Sequence, residues 1–172
     1  MLLLREDYLR KRNKNYLIQK MEQHFSSVFK KFKELNALDK PVESILLETT
    51  KLLRSEIPHY DWVGFYLFDK PNEMLVLGPY TGKTTQHTHI PVGKGICGQV
   101  AENWRSMIVQ DVTQQDNYIA CSMDVQSEIV VPILKNGLFV AEIDIDSHAI
   151  APFSNEDEQF LSAIAAELAI YF

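Results

Sequence analysis

The chain has 172 residues, 46% of them hydrophobic and 23% charged, with seven glycines and seven prolines. That size and balance predict one soluble globular domain large enough to bury a core, and exclude wholesale disorder, collagen-like repeats and low-complexity character. The formal net charge of −6 argues against nucleic acid as the main partner, since phosphate binding needs a surplus of Lys and Arg.

The charge is unevenly spread. Residues 1–36 carry nine Lys/Arg against four Asp/Glu, a balance of +5, and the rest carry eight against nineteen, a balance of −11. A basic arm of this kind suits an anionic surface, or is simply a solvated helix face. Met1-Leu2-Leu3-Leu4 is apolar but is stopped by Arg5, Glu6 and Asp7, far short of a signal-peptide core or a membrane span. The expectation is a cytoplasmic protein without a membrane partner.

From Tyr16 to Leu35 the residues Ile18, Met21, Phe25, Val28, Phe29, Phe32 and Leu35 recur at three- and four-residue steps, which predicts an amphipathic helix. Its stripe is suited to pack on the body, on a second copy, or on both. Pro41 suits the first turn of a second helix running through Leu53 and closed by Pro58. The domain division that follows is an N-terminal helical arm, 1–36, and a body, 37–172.

Past residue 60 the texture turns to β-rich runs. Trp62 to Phe68 reads as a strand, Asp69-Lys70-Pro71-Asn72 as a turn and Met74 to Leu77 as the returning strand. Gly78 to Gly98 reads as a loop, Ile96 to Trp104 as a short helix and Met107 to Val109 as a strand. Glu128–Leu134 and Leu138–Asp146 flank Asn136-Gly137, a strong hairpin signal. Ser154 with Asp157 is a capping-box variant ahead of a final helix. Hairpins dominate and no βαβ rhythm appears. The fold class is therefore α+β: a mostly antiparallel sheet of about six strands, with the N- and C-terminal helices on one face.

Several residue groups could carry chemistry. In the last strand, alternation puts Phe139, Ala141, Ile143 and Ile145 on one face and Val140, Glu142, Asp144 and Asp146 on the other, with Glu128 starting the partner strand. Such a carboxylate row is either the solvent face or an acidic cavity for an ammonium group or a cation. Asp is a poor strand former, and two in one strand interior favour use. Five of the seven glycines fall within Gly78–Gly98, either a loop needing positive φ or a set of amides facing an anion. His87 and His89 with Cys97 or Cys121 contain zinc-type ligands, but in no standard spacing, so no metal and no cofactor is expected. Cys97 lies at an expected helix start, where thiolate is favoured, and Cys121 in a polar loop. The pair is either inert or a nucleophile with its resolving thiol. Trp62 and Tyr66 share a strand face, as core aromatics or as the wall of an apolar pocket.

Together these segments resemble the free methionine-(R)-sulfoxide reductases, enzymes built on a GAF domain. The residues carrying the resemblance are Asp61-Trp62-Val63-Gly64-Phe65-Tyr66, Leu77-Gly78-Pro79-Tyr80, Ile90-Pro91-Val92-Gly93-Lys94-Gly95-Ile96-Cys97-Gly98, Tyr118-Ile119-Ala120-Cys121, Ser127-Glu128-Ile129-Val130-Val131-Pro132 and Asp144-Ile145-Asp146-Ser147. The resemblance implies reduction of free L-methionine-(R)-sulfoxide through a cysteine sulfenic acid and then a disulfide, which thioredoxin reduces. It implies Cys121 as nucleophile, Cys97 as a second redox cysteine, and Glu128, Asp144 and Asp146 as the acidic residues contacting substrate. Trp62 and Tyr66 match the aromatic wall. Protonating the sulfoxide oxygen needs a carboxylic acid of raised pKa, for which Glu128 with Asp146 is the choice, leaving Asp144 for the substrate ammonium. A homodimer is expected.

One departure stands out. Many members carry a third cysteine before Ile-Pro-x-Gly, and the best-aligned position here is His87. That leaves Cys97 as the only internal resolver, an external thiol in its place, or lost catalysis. The rival reading is a non-catalytic GAF sensor of a small ligand, or of redox state through Cys97 and Cys121.

Overall fold

The computed structural model describes residues 23–37, 40–115 and 124–172. Its centre is a six-stranded sheet in the order β3-β2-β1-β6-β5-β4. The strands are β1 (Trp62–Asp69), β2 (Met74–Thr81), β3 (His89–Pro91), β4 (Met107–Val109), β5 (Ser127–Lys135) and β6 (Leu138–Ser147). Every neighbouring pair is antiparallel. Asn136 and Gly137 turn β5 into β6 with φ of 53° and 77°, the left-handed pair that a two-residue hairpin requires.

Helix α1 (23–36), helix α2 (Val42–Glu56) and helix α4 (Asn155–Leu168) share a hydrophobic core with one face of the sheet. Phe25, Val28 and Phe32 recur at helical spacing on α1 and are buried there, Phe25 stacked on Phe160 with ring centroids 4.7 Å apart. The apolar stripe of α1 is thus spent on the chain's own core. Residues 1–22 of the expected basic arm lie outside the described residues. No helix among the described residues is long and apolar enough to cross a membrane.

Helix α4 starts at a capping box. Ser154 Oγ accepts from the Asp157 amide, and Asp157 Oδ2 accepts from the Ser154 amide at 2.9 Å. The other Asp157 oxygen accepts from Tyr60 Oη at 3.0 Å and lies 2.8 Å from His59 Nε2. One carboxylate therefore joins the start of α4 to the chain just before β1.

The second face of the sheet is covered by helix α3 (Gly95–Asn103), which packs on β5 and β6. A smaller core forms here from Tyr66, Leu75, Ile96, Val100, Val130 and neighbours. Two details depart from the sequence reading. Gly78 belongs to β2, which continues to Thr81, and β3 lies inside the expected loop. Phe139 lies in the core beneath α3, not with Ala141, Ile143 and Ile145. Ile133 pairs with Ala141 but Leu134 with Phe139, so Val140 is an extra residue in β6, and this bulge flips the faces beyond it.

Candidate active site

Strand alternation concentrates the candidate residues on the face covered by α3. In β1 this face presents Trp62, Gly64 and Tyr66. Across β6 they stand opposite Asp146, Asp144 and Glu142 in turn. Across β5, Asp146 pairs with Glu128, Asp144 with Val130 and Glu142 with Pro132. The row is not the solvent face: Glu128, Glu142, Asp144 and Asp146 are all 2% exposed or less. Cys97, in the first turn of α3, is buried above them, its Sγ donating to Glu128 Oε1 at 3.8 Å.

The aromatic side is rigidly seated. Trp62 stacks on Tyr80 at 5.4 Å and donates from Nε1 to the Lys83 carbonyl at 3.0 Å. The indole lies so close to the backbone that a Cβ on Gly64 would stand 2.2 Å from Cη2, and one on Gly82 2.3 Å from Cδ1. Only glycine fits at either position. Tyr66 Oη donates to the His87 carbonyl at 2.7 Å. The segment 83–87 is therefore fastened to both aromatics of the wall.

Burial dominates the electrostatics. It pushes the Glu128 carboxyl well above its ordinary range, helped by repulsion from Asp144, Asp146 and Glu142. Burial and Asp144 do the same to Glu142, and burial with Asp144 and Asp61 to Asp146. Asp144 is pushed up to about 7 by burial. The Cys97 thiol offsets part of this rise at Glu142 and Asp144, yet no oxygen of either has a partner at hydrogen-bond distance, nor has Asp146 Oδ1. All four carboxyls are thus shifted toward their protonated forms and the cluster leaves acceptors unfilled, which suits proton donation and recognition of a cationic group.

Trp62, Tyr66, Cys97, Glu128, Asp144 and Asp146 therefore converge on one buried face. Cys121 lies outside the described residues. His87 lends the wall its carbonyl, and His89 is exposed on β3. The metal-type cluster among the described residues consists of Cys97, Glu128 and Asp144, without either histidine. The glycine-loop amides are partly committed elsewhere: Gly93 N–H donates to the Gly98 carbonyl, and Gly98 N–H to that of Lys94. Sequence reasoning put Glu142 on the acidic face but assigned it no role. It missed the cavity of about 90 Å³ beside Trp62 and Asp146, lined also by Arg54, Asp61, Lys83 and His148. Those four side chains come from separate segments, and no local pattern joins them.

An antiparallel sheet with α1, α2 and α4 on one face and α3 over the other is the architecture of a GAF domain, and the GAF domain profile matches residues 41–172. The free methionine-R-sulfoxide reductase of Escherichia coli K12 is 34% identical over 144 residues, covering 84% of this chain and 86% of that protein. The Saccharomyces cerevisiae enzyme of the same name is 40% identical over 107 residues, covering 61% of this chain and 59% of its own. Among solved structures, the free methionine-R-sulfoxide reductase of Neisseria meningitidis in complex with its substrate superposes with a TM-score of 0.82 at 33% identity, covering 86% of this chain and 87% of that one. The chain belongs to the free methionine-R-sulfoxide reductase family of enzymes.

Proposed function

We propose that the protein reduces free L-methionine-(R)-sulfoxide to methionine. The observation that carries this reading is the buried group of carboxyls, their pKa values raised by burial, against Cys97 and walled by Trp62 and Tyr66. The aromatic wall suits the thioether end of the substrate. The unfilled oxygens of Asp144 suit its ammonium, which relieves their burial. Glu128 and Asp146, with raised pKa, suit the role of hydrogen-bonding the sulfoxide oxygen and giving it a proton.

In the chemistry we infer, the Cys121 thiolate attacks the sulfoxide sulfur. The oxygen, protonated by the carboxylic acid, passes to the cysteine, so that the thiol becomes a sulfenic acid and the sulfoxide becomes methionine. The Cys97 thiol then attacks the sulfenic sulfur, forming a disulfide and releasing water. Two electrons from the dithiol of thioredoxin restore both thiols. A pocket that engages the free ammonium would exclude methionine sulfoxide inside a peptide.

The same reading holds the protein to be cytoplasmic and homodimeric, with 1–36 an arm on a body of 37–172. The dimer is tested by light scattering of the full chain. For the reaction, reduced protein is incubated with racemic free methionine sulfoxide and dithiothreitol, and the products are resolved by chiral chromatography. Loss of the R form alone, abolished in Cys121→Ser, is the expected result. Activity of Cys97→Ser with dithiothreitol but not with thioredoxin identifies the resolving thiol. No turnover by folded wild-type protein overturns the enzyme reading in favour of a ligand-binding or redox-sensing domain.

A further inference from the structure

We propose that Cys97, Glu128 and Asp144 form a binding site for a thiophilic divalent cation of the zinc and cadmium class, whose occupancy excludes the substrate. One ligand atom from each of the three lies within 4.8 Å of the other two, and Cys97 Sγ is 3.8 Å from Glu128 Oε1. Metal–sulfur and metal–oxygen bonds of about 2.3 Å and 2.1 Å at tetrahedral angles put sulfur and oxygen about 3.6 Å apart. The Cys97–Glu128 pair needs to close by only a few tenths of an ångström, and no pair involving Asp144 by more than about 1.4 Å. All three are buried at 3% exposure or less, so little ordering remains to be done.

A second, independent feature points to a positively charged occupant. Both oxygens of Asp144, both of Glu142 and Oδ1 of Asp146 are buried with no hydrogen-bond partner. Four carboxyl groups on one covered sheet face repel one another when ionised, and a divalent ion compensates two of those charges at once. The mixed sulfur and oxygen set selects the ion. A thiolate is a poor ligand for magnesium or calcium and a good one for zinc or cadmium. With three protein ligands, one coordination position remains open.

Bound there, the ion removes the thiol of Cys97 from disulfide exchange and fills the place of the substrate ammonium. The binding stands on geometry alone, and only its effect on turnover rests on the proposed reaction. The test uses the reduced, EDTA-stripped full chain titrated with Co²⁺. One equivalent should give a sulfur-to-cobalt charge-transfer band, bleached by added Zn²⁺. Cys121→Ser should keep the band and Cys97→Ser should lose it. Glu128→Gln should weaken binding at least about tenfold, with Asp144→Asn as the alternative should Glu128→Gln fail to fold. In turnover, Zn²⁺ should inhibit competitively with methionine sulfoxide. Absence of the band in wild-type protein, or a band that survives Cys97→Ser, overturns the site. Cobalt binding without inhibition keeps the site and overturns the exclusion of substrate.

Discussion

Replacing Glu142 by leucine should make the protein more stable, the reverse of what removing a buried side chain usually does. Glu142 is fully buried between Tyr66 and Pro132, and neither of its oxygens has a hydrogen-bond partner. Burying such a group without a partner costs about 1–3 kcal/mol on protein mutational scales. An apolar side chain of similar size recovers that amount, worth roughly 2–4 °C in melting temperature per kcal/mol for a chain this long. The gain should also depend on pH. The folded-state pKa of Glu142 lies well above the ordinary 4.5, so the folded chain binds more protons than the unfolded one. The contribution of Glu142 to wild-type stability is then full below the ordinary value and falls as pH rises toward the folded value. The advantage of Glu142→Leu should therefore be larger at about pH 8 than at about pH 5, each tenfold difference in proton affinity between folded and unfolded chain being worth about 1.4 kcal/mol. Glu142→Gln, polar but unable to ionise, should remove the pH-dependent part and keep most of the burial cost. Urea unfolding of the three proteins at both pH values, in EDTA and with slopes compared, reads all of this. A leucine variant less stable than wild type at both pH values would refute the account, because Glu142 would then have a favourable partner.

Three further outcomes are expected. Gly64→Ala puts a methyl 2.2 Å from the Trp62 ring, so the indole must shift; tryptophan fluorescence should change and kcat/KM fall at least about tenfold, while an unchanged spectrum and rate would contradict the tight seat described. Phe32→Ala opens the core at a fully buried site on α1 and should lower unfolding stability by about 3–5 kcal/mol, whereas a value near zero would mean that α1 is not part of the folded core. Burial acts to raise the pKa of Asp157, but hydrogen bonds from His59 and Ser154 outweigh it and hold the carboxylate below its ordinary 3.8. Its contribution is present above that value and lost as pH falls through the folded one, so Asp157→Asn should flatten the acid limb of the stability profile measured by thermal melts.

Much of this was legible in the sequence because the deciding signals are local. Three-and-four spacing on α1, Asn136-Gly137 between two alternating strands, and Ser154 with Asp157 each specify an element from within a few residues. Strand parity likewise groups Glu142, Asp144 and Asp146 correctly. Their burial was not readable, since the cover over that face comes from α3, some 40 residues earlier in the chain. Parity failed at Phe139 because a bulge is a one-residue event that a two-residue period cannot register. The end of β2 was hidden for a related reason. Gly64 pairs with Tyr80 but Tyr66 with Leu77, so Gly78-Pro79 sits at an irregularity and reads as a breaker while still inside the strand. His89-Ile90-Pro91 is simply too short to carry a pattern.

Asp157 takes part in two kinds of closure. Its bonds to Ser154 span three residues, and those to Tyr60 and His59 span 97 and 98. The first can form as soon as the last helix begins to wind, while the second must wait until the strands between have brought the start of β1 and the last helix together. A local helix-start contact and a long-range docking contact thus share a single carboxylate. Substitutions at Ser154 should act mainly on whichever rate governs winding of that turn, and substitutions at Tyr60 on whichever governs docking. Comparing the folding and unfolding arms of the two series would show whether this helix is captured by the sheet after it forms or completed on its surface.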